Sequence, residues 1–438
     1  MFTKVITRFP PSPTGFLHLG RARTALFNYL FAKKNGGAMI FRFEDTDRIR
    51  SKKEFEESMI QSLKWLGISW GNEVIERQSE RVELYKKYLK KLVDEDKAYI
   101  SKETITEGER SGQENEVVRF RNPNTKITFT DLIRGEITFD TTDLKDFIIA
   151  RNMNDPLYHL AVVVDDFEMG ITHIIRGDDG ISNTPRQILI QQGIGAPKPV
   201  YAHLPLILAP DKSKLSGRHG AMSVTDYQKQ GYLPQALINY LALLGWNPGT
   251  EQELFSMKEL IEAFDISKIQ KSGAVFNIEK LNWFNKKYIE KLDRETFLSL
   301  AKPFIPEDVT EAVLAKLLPL LQEKISFFAQ IPDLLKTELS FIQPITLYDS
   351  AKLAGKSDAP KDHLKKTMEI LAELDVFTKE KVKEAVWTYA EEKGRGNVLW
   401  PMRYALSGQD KSPDPFIIAE ILGKNETLAR LTLAHDSL

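Results

Sequence analysis

Two short segments of the sequence combine residue types that bind phosphate groups. The first lies between a predicted strand and a predicted helix and contains Gly15, His18 and Gly20. Glycines let the backbone approach a phosphate closely, and the N–H groups in the first turn of a helix attract anions. His18 is suited to donate a hydrogen bond to the same group. Because a His-x-Gly pattern also occurs by chance, this segment alone favours a tight turn whose histidine only caps the helix.

The second segment follows an apolar stretch and is basic. It carries three cations within seven residues, Lys212, Lys214 and Arg218, with Ser216 between them. Cations spaced by serine and glycine suit a mobile loop that closes over a triphosphate. Taken alone, a solvated basic loop is the simpler interpretation.

A third group of residues is acidic and follows predicted strands. Residues 44–47 (Glu-Asp-Thr-Asp) come after the second strand, and the aspartate pair 178–179 comes directly after a later one. Carboxylates at such positions are able to hold an amino group or a Mg²⁺ ion. The alternative is that they cap helices or stabilise turns, and the same applies to the aspartate pair 165–166.

The overall composition narrows the class of protein. The chain has 438 residues, no cysteine, and 60 Lys and Arg against 61 Asp and Glu, for a net charge of −1. The length predicts about two to four domains, and the lack of cysteine excludes disulfides, thiolate catalysis and cysteine-bound zinc. So balanced a charge means that any nucleic-acid contact depends on local patches. Since no transmembrane-length apolar run or signal peptide is recognisable, we expect a cytoplasmic enzyme that does not contact a membrane.

Alternating strands and helices must position these groups. The pattern predicts a strand over residues 4–9, a helix over 19–34 that Asn-Gly-Gly ends, and a strand over 38–43. Helices follow at about 52–66 and 79–96. Strand, loop, helix and strand in this order are the unit of a doubly wound parallel sheet, so we predict an α/β, Rossmann-like fold.

The pattern of predicted secondary structure then changes twice along the sequence. Between about residues 97 and 155, short β-branched stretches alternate with turn residues, which predicts a small β-rich insertion. The α/β pattern resumes until about residue 210, and from about 223 the periodicity is almost wholly helical. An exposed connection is expected at 348–362, where Ala, Gly, Lys, Ser and Pro cluster.

Although each motif is weak by itself, their order and spacing are specific. Together they strongly resemble a bacterial-type glutamyl-tRNA synthetase, a class I aminoacyl-tRNA synthetase. The resemblance spans nearly the whole chain and is weakest between about residues 297 and 389. The segments that carry it are 7–20, 23–28, 41–47, 157–166, 172–179, 182–186, 214–221, 231–237, 276–281 and 402–408.

The resemblance implies an activity and a domain organisation. The chain would activate glutamate with ATP to glutamyl-adenylate and pyrophosphate, and would then transfer glutamate to the terminal adenosine of tRNA(Glu). It implies a monomer and Mg²⁺ bound with ATP, to which no protein ligand is assigned. No zinc is expected, because the chain lacks the cysteines that bind zinc in some members of the family. The catalytic domain is expected in two halves, 1–96 and 156–210, with the acceptor-end-binding insertion at 97–155 between them. The loop with the stem-contact domain would follow at 211–295, and the α-helical anticodon-binding region at 296–438.

The resemblance also assigns residues to the two substrates. His18, Gly20, Lys214 and Arg218 would be catalytic. The residues implied at ATP are Gly15, His18, Gly20, Lys214, Ser216 and Arg218.

For glutamate, Arg8 would bind the γ-carboxylate, Glu44 the α-amino group, and Arg176 would help to hold a carboxylate. An arginine fork pairs well with a carboxylate but poorly with an amide, which would exclude glutamine. The residues implied at glutamate are Arg8, Ser12, Glu44, Tyr158, Val162 and Arg176.

Several positions depart from the family pattern. Gly217 replaces the second lysine of the basic loop, Gly180 replaces a histidine, and Asp178 replaces a glutamate, while Arg21 occupies a variable position. The loss of a loop cation raises the alternative of a tRNA-binding paralogue with weak or lost activity.

Three other readings of the sequence are less favoured. A glutaminyl-tRNA synthetase would end in β-barrels, and a paralogue that modifies a tRNA base would lack the helical C-terminal region. A small-molecule nucleotidyltransferase would not need that region.

Overall fold

The computed structural model describes residues 4–104, 114–215, 222–307 and 309–438. The chain forms two compact units, Met1–Tyr288 and Ile289–Leu438. Within the described ranges, no helix has both the length and the apolar character needed to cross a membrane.

The first unit contains all the strands found in the described residues. They are β1 Ile6–Phe9, β2 Ala38–Phe43, β3 Glu76–Arg77, β4 Ala98–Thr104, β5 Glu114–Phe120, β6 Lys126–Asp131, β7 Gly135–Asp140, β8 Phe147–Asn152, β9 Asp155–Pro156, β10 His173–Gly177, β11 Val200–Leu204, β12 Ile207–Leu208 and β13 Ala274–Val275. The helices that begin in this unit are α1 Leu19–Lys34, α2 Lys53–Trp65, α3 Val82–Asp94, α4 Tyr158–Glu168, α5 Thr184–Ile194, α6 Val224–Lys229, α7 Pro234–Leu243, α8 Met257–Ala263 and α9 Ile278–Ile289.

Parallel strands form the centre of the first unit. β1 pairs with β2, and β2 pairs with β3, all in parallel. β10 lies on the other side of β1, where the amide of Thr172 donates to the carbonyl of Ile6 at 2.9 Å, and β10 pairs in parallel with β11. The predicted α/β fold with a Rossmann-like parallel sheet is confirmed. As in other open parallel sheets, the carboxyl ends of β1, β2 and β10 meet at one edge.

Helix α1 has the bounds that its sequence signals predict. The side chain of His18 caps its N-terminus by accepting from the amide of Arg21. At its other end the chain turns through Gly36, whose φ of +64° favours glycine. A Cβ on Gly37 would collide with the carbonyl oxygen of Val5, so this close approach of the turn to β1 requires glycine.

The β-rich segment divides between two sheets. β4, β5, β8 and β9 form an antiparallel sheet. In contrast, β6 pairs with β7 and also continues the parallel layer, because Asp131 at the end of β6 lies beside Tyr201 in β11. The β6–β7 hairpin is thereby attached to the strands that carry the site.

Helices are the regular elements in the described residues of the second unit. Its helices are α10 Arg294–Ala301, α11 Glu311–Lys324, α12 Ile331–Lys336, α13 Ser350–Ala354, α14 Pro360–Ala372, α15 Lys379–Lys393, α16 Arg395–Ser407, α17 Pro415–Leu422 and α18 Lys424–Asp436.

The segment 348–362, which we expected to be an exposed connection, is exposed at most positions but also contains the short helix α13. Asp349 caps the short helix α13, whose Leu353 is fully buried. Just before it, the hydroxyl of Tyr348 donates to the carbonyl of Ala405. Composition alone could not reveal that these two apolar side chains anchor the segment.

Candidate active site

Four charged side chains form a buried cluster at the ends of β1 and β2 and on α4. Asp166 accepts from Nη1 of Arg42 at 2.7 Å and from Nε of Arg8 at 3.3 Å. Nη2 of Arg42 donates to Glu44 at 3.0 Å. All four residues are at least nine-tenths buried, so these ion pairs are shielded from water. The cluster holds Arg8 and Glu44 in fixed positions on neighbouring strands.

The charges in this cluster set one another's ionisation. Burial opposes the charge of Arg42, but Asp166, Glu44 and Asp165 outweigh it and raise the pKa of Arg42. Burial also opposes the charge of Asp166, yet Arg42 and Arg8 lower its pKa. For Glu44 burial prevails and the pKa is raised. The charge of Glu44 is therefore disfavoured in the folded protein, as expected for a carboxylate that binds a positively charged ligand.

Arg8 has one hydrogen-bonding group left over. Its Nε faces Asp166, and Nη1 donates to the carbonyl of Ile175 at 3.4 Å. Among the described residues, Nη2 has no hydrogen-bond partner. An additional carboxylate is the group that a guanidinium in this state binds best.

Arg176, at the end of β10, is a buried cation with neutral partners. It donates through Nη1 to Gln187 at 2.7 Å, through Nη2 to Thr184 at 2.7 Å, and through Nε to His203 at 3.1 Å. Within the described ranges, no carboxylate forms an ion pair with it. Burial lowers the pKa of Arg176, which reflects this uncompensated charge.

The remaining residues implied at glutamate lie nearby. Tyr158, the first residue of α4, hydrogen-bonds Gln187. The packed surroundings of its hydroxyl, with the charge of Glu44, raise the pKa of Tyr158, although 38% of the residue is exposed. Val162 is buried one turn further along α4. The carbonyl of Ser12 accepts from Nη1 of Arg21 at 2.8 Å.

His18 lies at the start of α1 and faces open solvent on one side. Its Nδ1 accepts from the amide of Arg21 at 3.4 Å, which leaves the proton of a neutral ring on Nε2. Burial of the inner side of the ring and the charges of Arg21 and Lys214 lower the pKa of His18 to about 4. The histidine is therefore a neutral donor near pH 7 and suits a phosphate oxygen. A Cβ on Gly20 would lie 3.3 Å from this ring, so Gly20 leaves room for it.

The basic loop is only partly within the described residues. Nζ of Lys214 contacts Asp179 at 3.0 Å, and both side chains are largely exposed. Lys212 lies at a turn with a φ of +66°. The predictions for Ser216, Gly217 and Arg218 concern residues outside the described ranges. Gly15 lies in the turn before α1, with open space where a Cβ would be.

Several acidic residues prove to have structural partners. Asp45 accepts from the amide of Ser79 at 2.8 Å, and Asp47 pairs with Arg50. Asp165 is fully buried in α4, where it accepts from Tyr85. The turn interpretation of the pair 165–166 is therefore wrong, because both residues are helical and buried.

Asp178 also has a structural partner, and the described acidic residues form no metal site. Asp178 pairs with Arg134, although burial raises the pKa of Asp178. Among the described residues, no group of three or more His, Asp or Glu is arranged to hold a metal ion.

Sequence reasoning missed two parts of this site. Arg42 was passed over because it stands in an apolar strand, yet a charged residue in a buried strand is itself a signal that opposite charges must face it. The pair Asp131–His203 was also missed. It joins residues 72 positions apart, and only the register between β6 and β11 reveals it.

Known protein families match the sequence in both units. The family described as "tRNA synthetases class I (E and Q), catalytic domain" matches residues 4–111 and 100–283. An "Anticodon binding domain" family matches residues 296–435. The parallel sheet with its charged edge thus defines a class I tRNA synthetase.

Curated relatives and solved structures narrow the class. The sequence is 39% identical to a "Glutamate--tRNA ligase" of Carboxydothermus hydrogenoformans, over 98% of this chain and 99% of the relative. It is 40% identical to one of Heliobacterium modesticaldum, over 98% and 96%. A crystal structure of a glutamate tRNA ligase from Elizabethkingia meningosepticum "in complex with its amino acid" matches with a TM-score of 0.89 at 33% identity, over 99% of this chain and 100% of that one.

The chain belongs to the glutamate–tRNA ligase family. The resemblance read from its motifs is confirmed. Because the matched relatives are named as ligases and align over nearly the whole chain, the comparisons give no support to the alternative of a tRNA-binding paralogue.

Proposed function

We propose that this chain joins glutamate to tRNA(Glu) in two steps at the edge where β1, β2 and β10 end. An oxygen of the α-carboxylate of glutamate attacks the α-phosphorus of ATP, and the bond to pyrophosphate breaks. A ribose hydroxyl of the terminal adenosine of tRNA then attacks the activated carbonyl carbon, and AMP leaves. Neither step needs a nucleophilic side chain, so the protein contributes position and charge.

The observation that carries the proposal is the state of the two arginines. Arg176 is a buried cation with neutral partners, and Arg8 has a free Nη2. Glutamate brings two carboxylates and one ammonium group. In this account Arg8 pairs with the γ-carboxylate, Arg176 helps to hold a carboxylate, and Glu44 receives the α-amino group. Binding therefore neutralises charges that the free protein leaves only partly compensated.

The ATP half of the site lies around the start of α1. His18 donates from Nε2 to the α-phosphate, and Gly15 and Gly20 let the backbone approach. Lys214, with Ser216 and Arg218, neutralises the departing pyrophosphate. A Mg²⁺ ion would arrive bound to the phosphates of ATP, and we assign no protein ligand to it.

The other domains follow the same assignment. We assign 97–155 to the acceptor end of tRNA, 211–295 to the tRNA stem and 296–438 to the anticodon; the family match over 296–435 supports the last. The sequence has no cysteine for a zinc site in the insertion. We further propose that the protein acts as a cytoplasmic monomer.

Exchange of labelled pyrophosphate into ATP tests the proposal. The assay contains tRNA(Glu) and either glutamate or glutamine. Exchange that depends on glutamate and is at least about tenfold weaker with glutamine is expected, because an amide leaves the arginines unpaired. Equal exchange with both amino acids, or none with either, contradicts it.

A further inference from the structure

His203 lies fully buried between a carboxylate and a guanidinium. Its Nδ1 is 2.7 Å from Oδ2 of Asp131, and its Nε2 is 3.1 Å from Nε of Arg176. The three residues come from three neighbouring strands, β6, β11 and β10. Their hydrogen bonds form a continuous path from Asp131 in the β-rich segment to Arg176, the cation assigned to glutamate.

The hydrogen-bond partners determine which nitrogen of His203 carries the proton. Oδ2 of Asp131 also accepts from the backbone amide of His203 at 3.0 Å, and Oδ1 accepts from the amides of Ile133 and Arg134. An aspartate with these four contacts accepts only, so Nδ1 must donate. Nε2 is then unprotonated and accepts from Nε–H of Arg176, a group that has only protons to offer.

The charges support a neutral imidazole in this chain. Burial lowers the pKa of His203, and the charge of Arg176 adds to that effect, whereas the hydrogen bond that Nδ1 donates to Asp131 opposes it. Burial opposes the charge of Asp131, but the hydrogen bonds from His203 and from the amides of Arg134 and Ile133 lower the pKa of its carboxyl. Asp131 thus remains an anion, and His203 relays its orienting effect without cancelling the charge of Arg176.

Gly180 closes the other side of Arg176. A Cβ on Gly180 would lie 2.6 Å from Nε and 2.7 Å from Cδ of Arg176. The guanidinium therefore lies between a backbone that has no side chain and an acceptor of fixed direction. Gly180 thus leaves the room that Nε occupies, and the acceptor on His203 fixes the direction of its N–H.

We infer that Asp131 and His203 are positioning residues that fix the tautomer of His203 and thereby aim Arg176 at a carboxylate of glutamate. This inference rests on the proposed role of Arg176. It assigns a part of amino-acid recognition to Asp131, a residue of the β-rich segment. Exchanging Asp131 for asparagine keeps the shape but presents an NH₂ group to Nδ1. The ring then takes the other tautomer and turns a donor toward Nε of Arg176.

The first test is the tautomer itself. In protein labelled with ¹⁵N-histidine, His203 should show a protonated Nδ1 and an unprotonated Nε2 at pH 7.5, with its signal assigned by loss in His203→Gln. Asp131→Asn should reverse the pattern, and the exposed change Asp143→Asn should leave it unaltered. A wild-type His203 protonated on Nε2 overturns the inference, whatever the activity shows.

The second test separates positioning from structure. With tRNA present, Asp131→Asn should raise KM for glutamate in pyrophosphate exchange about tenfold, while KM for ATP changes less than about twofold. His203→Gln, which keeps an acceptor for Arg176, should raise KM for glutamate by about threefold or less. Parallel increases in both KM values, or an unchanged KM for glutamate, overturn the inference.

Arg176→Gln separates the proposed role of Arg176 in glutamate binding from the proposed positioning role of Asp131 and His203. If it raises KM for glutamate at least tenfold while Asp131→Asn does not, the proposed function stands and the positioning role is refuted. If neither change affects KM for glutamate, the assignment of Arg176 fails, and the positioning role fails with it.

Discussion

The carboxylate of Asp166 lies 2.7 Å from Nη1 of Arg42, and both side chains are almost completely buried. The other oxygen of Asp166 contacts Nε of Arg8. Asp166 thus compensates a structural cation and orients the cation assigned to the γ-carboxylate of glutamate. This one carboxylate therefore contributes both to the stability of the folded chain and to the binding of substrate.

The first prediction concerns the stability of this pair. Asp166→Asn should lower the free energy of unfolding of the first unit by about 3–5 kcal/mol, because removing one partner leaves a buried charge uncompensated. Urea denaturation followed by far-UV circular dichroism measures this. A loss below about 1 kcal/mol would show that Glu44 and Asp165 suffice for Arg42.

The pH dependence of that loss has a definite sign. The pKa of Asp166 is lower in the folded chain than its ordinary value, so its contribution is present above that value and disappears as the pH falls through the folded one. The difference between wild type and Asp166→Asn should be constant from pH 8 to about 5 and should shrink below about 4. A difference that grows on acidification contradicts the assignment.

The second prediction concerns Glu44, the other carboxylate that pairs with Arg42 in the buried cluster. Burial raises the pKa of Glu44, so its charge destabilises the folded chain at neutral pH. Glu44→Gln should therefore raise the midpoint of thermal unfolding and yet lower kcat/KM for glutamate at least tenfold, because the α-amino group loses its anion. Scanning calorimetry and pyrophosphate exchange measure the two effects. A fall in both quantities would contradict this, because it would show that the ion pair with Arg42 makes the charge of Glu44 stabilising overall.

The third prediction concerns Arg8. Arg8→Leu should reduce kcat/KM for glutamate by an amount on the order of 2–5 kcal/mol in transition-state binding, since it strands a buried carboxylate. Arg294→Leu, an exposed change in the second unit, serves as the control. If Arg8→Leu changes kcat/KM less than tenfold, about 1.4 kcal/mol, another residue binds the γ-carboxylate.

The fourth prediction concerns Gly180, where the family pattern has histidine. Gly180→Ala should displace Arg176, whose Nε would lie 2.6 Å from the new Cβ, and should raise KM for glutamate several-fold. Gly396→Ala is the matched control because its Cβ would meet open space. Equal KM values in both variants would mean that Arg176 adapts at no cost to binding.

The fifth prediction concerns the charge of His18. Since the pKa of His18 is lowered to about 4, its ring should remain neutral from pH 8 to about 5. NMR titration of ¹³C-labelled histidine, with the signal assigned by His18→Asn, measures this directly. A midpoint near the ordinary 6.5 would contradict this assignment, because the ring would then gain its charge between pH 8 and 5.

Local signals in the sequence were enough for the elements that bear the site. The bounds of α1 and β2 agree with the prediction because a cap, a glycine turn and an apolar run mark them. Long-range charge compensation was not predictable in this way. Arg42 meets Asp166 across 124 positions, and such a contact follows from sheet order rather than from spacing.

Motif reading reached the correct family but could not describe the state of its residues. It named Arg176 as a ligand of glutamate, yet gave no hint that Gly180 and His203 confine it. Those contacts depend on side-chain direction after folding. The same limit explains why the short helix α13 was not predicted inside the exposed segment 348–362, where the side chains of Tyr348 and Leu353 are buried.

The most direct measurement is a crystal structure with a non-hydrolysable analogue of glutamyl-adenylate. In this molecule the γ-carboxylate is the only free carboxylate, so its partner reports the source of specificity. The account predicts a charged hydrogen bond to Nη2 of Arg8 at about 2.7–2.9 Å, with the α-amino group at Glu44. An analogue whose γ-carboxylate does not contact Arg8, whether or not it contacts Arg176, would contradict it.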